Sequence, residues 1–126
     1  MLYTVTTTKS LAEIDRGLHE SAAKHQFGII ATHNLTETMA KKGVEFGGEC
    51  LIYEVCNPHQ AKKVLEANGA VSTALPCRIS VYREGDAYKL ATLLPTEMIK
   101  SFGSPELEPV AKEVETVLKA MMDEAG

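Results

Sequence analysis

The stretch Val55-Cys56-Asn57-Pro58-His59-Gln60-Ala61-Lys62-Lys63-Val64-Leu65, closed by Leu75-Pro76-Cys77-Arg78, decides how the chain is read. Asn57 carries a side-chain oxygen that can accept from a free amide in a first helical turn. Pro58 suits the first helical position, where a missing N–H costs nothing. The pattern predicts a helix to about Asn68, with Ala61, Val64 and Leu65 on its buried stripe, Lys62 and Lys63 in solvent, and Gly69 as the residue past its end. Cys56 then stands just ahead of a helix N-terminus, where the helix dipole favours a thiolate. The same position suits a small buried hydrophobe at a strand end, and free cysteines are among the most buried side chains. Both readings stand on the residues.

Outward from this stretch, alternation marks the strands. From Glu49 to Cys56, Leu51, Tyr53 and Val55 alternate with Cys50, Ile52, Glu54 and Cys56, and the first set is expected to face the helices. From Cys77 to Arg83, Cys77, Ile79 and Val81 alternate with Arg78, Ser80 and Tyr82. Gly85 turns the chain within Glu84-Gly85-Asp86, and Tyr88 to Leu94 returns as the second half of a hairpin. Leu2 to Thr7 and Phe27 to Asn34 read as two more strands, the latter with Ile29, Ala31 and His33 on one face.

Helices are set off by their caps. Ser10 and Glu13 form a capping box ahead of Leu11, Ile14, Leu18 and Ala22 at helical spacing. A short helix or irregular segment is expected from Thr36 to Lys42, and a short turn before Gly103. Ser104 as cap and Pro105 as first residue open the last helix, with a wide apolar stripe from Leu107 through Val114 to Met121. Five strands and two long helices imply an α+β fold: a two-layer sandwich, its mainly antiparallel five-stranded sheet carrying both long helices on one face. Cys50, Ile52, Glu54, Arg78, Ser80 and Tyr82 fall on the other face, a mixed surface suited to a dimer or ligand contact. No linker, repeat or low-complexity tract interrupts the chain, so one domain is expected over residues 1–126.

Cys56-Asn57-Pro58, then Ala61, Val64 and Leu65, then Leu75-Pro76-Cys77 resembles the signature of the bacterial and archaeal "domain of unknown function 302" family. Gly43-Val44-Glu45-Phe46 upstream and Val81-Tyr82-Arg83-Glu84-Gly85 downstream fit the same pattern. The resemblance implies a compact α+β fold similar to the TATA-binding-protein-like class, with a tendency to dimerise. It implies no established activity.

Composition narrows the partners. The apolar fraction is 44% and the charged fraction 24%, ordinary values for a globular chain. No apolar run nears the ~20 residues of a membrane span. Thr4, Thr6, Thr7 and Thr8 make the N-terminus polar at once, so no signal peptide is expected. Three cysteines then fit a reducing cytosol. The formal net charge is -4. Residues 1–96 hold 10 acidic and 10 basic groups, while residues 97–126 hold 7 acidic and 3 basic. A chain with no basic excess is not expected to bind nucleic acid, which needs a basic stripe.

Cys56 and Cys77 carry three open readings: two structural cysteines, a disulfide contributing roughly 3 kcal/mol by chain entropy, or a redox or soft-metal site with His59 or His33. No Cys-x-x-Cys or His-x-x-x-His spacing supports the last. Strand direction separates them, because a parallel crossover would put the two cysteines at opposite ends of the sheet. Lys41, Lys42, Gly43, Gly47 and Gly48 read as a solvated loop rather than an anion cradle. No Gly-x-Ser-x-Gly elbow and no placeable carboxylate pair occurs, and no cofactor is named by any motif.

The expected function is a cytosolic, homodimeric module that binds a small ligand or a protein partner. The alternative is a thiol-dependent redox or soft-metal-handling protein using Cys56 and Cys77. Cys56, Asn57, His59, Cys77 and Arg78 are the candidate ligand-binding residues. Catalysis is left open.

Overall fold

The computed structural model describes residues 1–126. The strands are β1 (Leu2–Thr7), β2 (Gly28–Asn34), β3 (Cys50–Cys56), β4 (Cys77–Glu84) and β5 (Ala87–Leu93). The helices are α1 (Leu11–Lys24), α2 (Leu35–Lys41), α3 (Pro58–Ala67), the short α4 (Pro95–Met98) and α5 (Glu108–Ala125). All five strands form one sheet in the order β1-β5-β4-β3-β2, and every pairing is antiparallel. The α+β fold with two long helices on one face is therefore observed.

The inward face follows the expected alternation. Tyr53, Val55, Ile79, Val81 and Leu90 are buried against Ile14 and Leu18 of α1 and Leu118, Met121 and Met122 of α5. The capping box is present at Ser10 and Glu13. Gly17 lets the two long helices touch, since a Cβ there would lie 3.0 Å from Ala125 Cα. Inside this core the Tyr53 hydroxyl donates to Asp15 at 2.8 Å, which satisfies the phenol that burial isolates from water.

The outward face is uncovered within the chain. Cys50, Ile52, Glu54, Arg78, Ser80 and Tyr82 share this face as expected, with Cys50 opposite Tyr82, Ile52 opposite Ser80 and Glu54 opposite Arg78. On its far edge Leu2 pairs with Leu93, and these side chains are 62% and 45% exposed. His33 Nε2 lies 3.0 Å from Glu54 Oε1, and Arg78 Nε lies 3.9 Å from the same oxygen.

Four sequence expectations are corrected. A β-bulge lies between Ile29 and Ala31, where Ile29 pairs with Val55 and Ala31 with Glu54. The extra residue, Ile30, reverses the alternation, so Ile29 does not share a face with Ala31 and His33. Gly69 does not end α3 in a left-handed conformation; Asn68 ends α3 in an extended conformation, and its side chain starts a 3₁₀ helix at Gly69–Ala74. Ser104 does not cap the last helix. It precedes a 3₁₀ turn at Pro105–Leu107, and its hydroxyl accepts from Asn68 Nδ2 at 3.1 Å instead. Leu65 leaves the buried stripe of α3 and is 42% exposed, because α3 stands off the sheet over a cavity.

Candidate functional site: the cavity under helix α3

Antiparallel pairing answers the question of the two cysteines. Val55 stands opposite Cys77 in the β3–β4 register, so Cys56 and Cys77 come to the same end of the sheet. From Cys56 the chain rises into α3, passes through the 3₁₀ helix, and returns to the sheet at Cys77. The loop so formed arches over the end of the sheet and leaves a cavity of about 310 Å³ beneath it.

Each wall follows from local structure. Asn57 caps α3, its Oδ1 accepting from the amides of His59 at 2.9 Å and Gln60 at 3.2 Å. Its Nδ2 donates to the carbonyl of Gln26 at 3.2 Å, tying the helix start to the segment before β2. This fixed start places Gln60, Ala61, Val64 and Leu65 over the cavity. Phe27, Val55 and Val114 close it from the core side, and Ser72, Leu75 and Pro76 from the 3₁₀ side. Nine of the thirteen lining residues are hydrophobic and none is charged, which favours the body of an apolar molecule. A smaller void of about 50 Å³ lies against it, sharing Val64, Leu75, Cys77 and Val114.

Gln60 lines the cavity, but its Oε1 is sealed from solvent without a hydrogen-bond partner, a costly arrangement for a buried acceptor.

Of the five residues expected at the site, Cys56, Asn57 and Cys77 line the cavity. His59 is exposed on α3 and does not line it, and Arg78 faces the opposite side of the sheet beside Glu54. Neither contributes to the cavity wall: His59 is exposed near the start of α3, and strand alternation puts Arg78 on the face opposite Cys77. Sequence reasoning missed Phe27, Gln60, Ser72 and Val114. Gln60 was recoverable, since it precedes Val64 by four positions and so lies on the same helical stripe.

The thiols are free. Burial pushes the Cys77 thiol up to about 11, with the neighbouring Cys56 adding to the shift and Arg78 opposing it. Cys77 is thus a neutral thiol near pH 7. No three His, Cys, Asp or Glu side chains converge on a point that would hold a metal ion. The soft-metal reading with His33 loses its geometry, since His33 is engaged with Glu54 on the other face.

A larger groove of about 560 Å³ runs beside Thr96, Lys100, Ser104 and Lys112. Only one of its nine lining residues is hydrophobic. Its lysines are paired, Lys100 with Glu97 at 3.1 Å and Lys112 with Glu108 at 3.2 Å. Thr96 is likewise engaged by Glu115. It has the character of solvated surface.

The family model described as "Domain of unknown function DUF302" matches residues 3–125. The chain belongs to the DUF302 family. A solved structure similar to it is the crystal structure of an uncharacterized conserved protein DUF302 from Bacillus stearothermophilus, 33% identical, with a TM-score of 0.94. That likeness covers 99% of this chain and 98% of the other. A comparison with curated proteins found no match. No helix of this DUF302 chain is long and apolar enough to cross a membrane.

Proposed function

We propose that this DUF302 chain is a cytosolic, homodimeric module that binds a small molecule in the cavity under α3. The observation that carries the reading is the cavity itself: about 310 Å³, mostly apolar, free of charge and placed at one end of a rigid sheet. That volume lies at the lower end of the usual range for ligand sites. Leu65 and Ser72 line it and are also exposed, which gives a ligand a way in.

The open sheet face supports the dimer. It keeps Leu2 and Leu93 side by side and unshielded, with Ile52 and Tyr82 on the same surface. Arg78, Ser80 and Lys89 lie between these apolar side chains, and a mixed surface of this kind fits a second copy of the chain. Sedimentation is expected to give twice the chain mass, and Leu93→Lys to shift it toward the monomer.

Thiol chemistry has one observation in its favour, the meeting of Cys56 and Cys77 at one cavity. The raised Cys77 thiol opposes it, because the thiolate is the reactive form.

Native mass spectrometry on chain purified without chelator or reductant tests the binding reading. A small molecule retained at a fixed stoichiometry, and lost in Val64→Trp, supports it. A bare chain that accepts no small molecule at high concentration in either form defeats it.

A further inference from the structure

One edge of the sheet ends in backbone groups that nothing in the chain satisfies. β1 pairs with β5 alone and is the last strand on its side. Its register sets Leu2 opposite Leu93, hence Met1 opposite Leu94, and the Leu94 amide donates to the Met1 carbonyl at 2.8 Å. Bonded and non-bonded residues alternate along an antiparallel pair. Tyr3, Val5 and Thr7 therefore bond to β5, while Leu2, Thr4 and Thr6 aim N–H and C=O away from the sheet. No turn, loop or cap hydrogen bond reaches the backbone of those three residues.

The other edge is guarded and this one is not. β2 is interrupted by the bulge at Ile30 and runs straight into α2. Bulges, charges and prolines keep exposed edges from pairing. β1 pairs with β5 without a bulge, and the run Leu2-Tyr3-Thr4-Val5-Thr6-Thr7-Thr8 holds no charged residue and no proline.

A second copy of the chain fits this edge. Two β1 strands running antiparallel about a two-fold axis at Thr4 set Thr4 opposite its own counterpart and Leu2 opposite Thr6 of the other copy. Every residue so paired has both backbone groups free, so the seam closes with roughly six hydrogen bonds. The pairing also sets Tyr3 opposite Val5, which keeps helix-side residues on the helix side. Beneath the edge each copy brings one cation and one anion. Lys119 Nζ lies 5.3 Å from the centre of the Tyr3 ring, and Asp123 accepts from the Tyr3 hydroxyl at 2.6 Å. Two copies meeting there add no net charge to the seam.

We propose that two copies of the chain join edge to edge through β1, antiparallel and centred on Thr4, so that their sheets become one. The inference rests on the homodimer reading and names how the copies meet. A seam one strand wide is small, so dissociation in the micromolar range is expected.

Thr4→Pro tests it on the full chain. The Thr4 amide points away from β5, so proline removes a donor from the seam and leaves the ladder within the chain intact. Sedimentation is expected to give twice the chain mass for the wild type and the single chain mass for Thr4→Pro, with unchanged circular dichroism. In the wild type, the Thr4 and Thr6 amides are expected to exchange hydrogen slowly when concentrated and fast on dilution, while those of Tyr3 and Val5 stay slow throughout. A folded Thr4→Pro chain that keeps twice the chain mass overturns the β1 seam and leaves the homodimer reading standing. Fast exchange at Thr4 and Thr6 in a wild-type dimer does the same, and decides the matter even if Thr4→Pro does not fold. A wild-type chain of single mass at every concentration removes the seam and the homodimer reading together.

Discussion

Two apolar regions of this protein are built to different standards. The main core, between the sheet and the pair α1 and α5, buries Ile14, Leu18, Tyr53, Ile79, Val81, Leu90, Met121 and Met122 completely. The second cluster, under α3 and the 3₁₀ helix, is three residues, Val64, Val71 and Leu107, and it borders both apolar voids. Close packing forfeits nothing, whereas a lining atom beside a void lacks partners on one side. The difference teaches where the chain keeps its stability and where it keeps room. A site for a ligand is drawn from the less stable part of a fold.

Core truncation is the strongest way to break the comparison. Leu118→Ala should cost about 2–5 kcal/mol by creating a cavity in a close-packed region. Val64→Ala should cost only about 1–1.5 kcal/mol, since two methyl groups leave a wall that is already loose. Urea unfolding of both variants measures the contrast, and equal costs would erase it.

The thiol at the boundary gives the next largest effect. A chain with Cys50→Ser and Cys56→Ser leaves Cys77 alone. With its thiol near 11, Cys77 should alkylate roughly 30-fold slower at pH 7 than an ordinary thiol. Its thiolate is scarcer but more nucleophilic, and the rate should keep rising with pH up to about 11. A rate that levels near the ordinary value of about 8.5 would mean the cavity is wetter than described.

The helix contact of the main core has no slack. Gly17→Ala places a methyl 3.0 Å from Ala125 Cα and 3.2 Å from its Cβ. Helix propensity gains up to about 1 kcal/mol, but overpacking costs about 1–3 kcal/mol, so a net loss near 1 kcal/mol is expected in thermal unfolding. The same kind of enlargement under α3 should have the opposite sign. Ala61→Leu fills void and is expected to stabilise by about 0.5–1.5 kcal/mol while weakening ligand binding. A destabilised Ala61→Leu chain would show that the space under α3 does not accept a larger side chain.

The smallest effect lies at the far end of the main core. His25 and then Ser21 hold the Glu124 carboxyl below its ordinary value, with Lys24 adding to this. A depressed carboxyl contributes stability that is present above the unfolded value near 4.5 and is lost as pH falls through the folded value. Glu124→Gln should therefore flatten the acid limb of stability below pH 4.5 by a small amount, as surface pairs do. Unchanged acid melting would assign the pair no role.

Legibility in the sequence follows the same division. The main core was readable because period-two and period-3.6 patterns report which face is buried, and Tyr53, Val55, Ile79 and Leu118 obey them. The membership of the open face was readable for the same reason, though not the register that sets Glu54 opposite Arg78. The bulge at Ile30 was not, since an inserted residue leaves no mark on composition. Ser104 was misread because its hydrogen-bond partner, Asn68, lies 36 positions away, and a cap signal reports only its neighbours. The cavity depends on strand direction. Cys56, Asn57 and Cys77 meet because β3 and β4 run antiparallel, which the residues between them do not encode locally. His59 and Arg78 were assigned by nearness in sequence to those three, and geometry separates them.

Methyl-resolved NMR during titration with toluene, a small uncharged probe suited to the apolar lining, tests the central claim most directly. If the room under α3 is the binding site, the methyls of Val64, Leu65, Leu75 and Val114 shift together and saturate with one affinity. Those of Leu2, Ile52 and Leu93 on the open sheet face stay still. Shifts confined to Leu2, Ile52 and Leu93, or none at Val64 and Val114, would contradict the account.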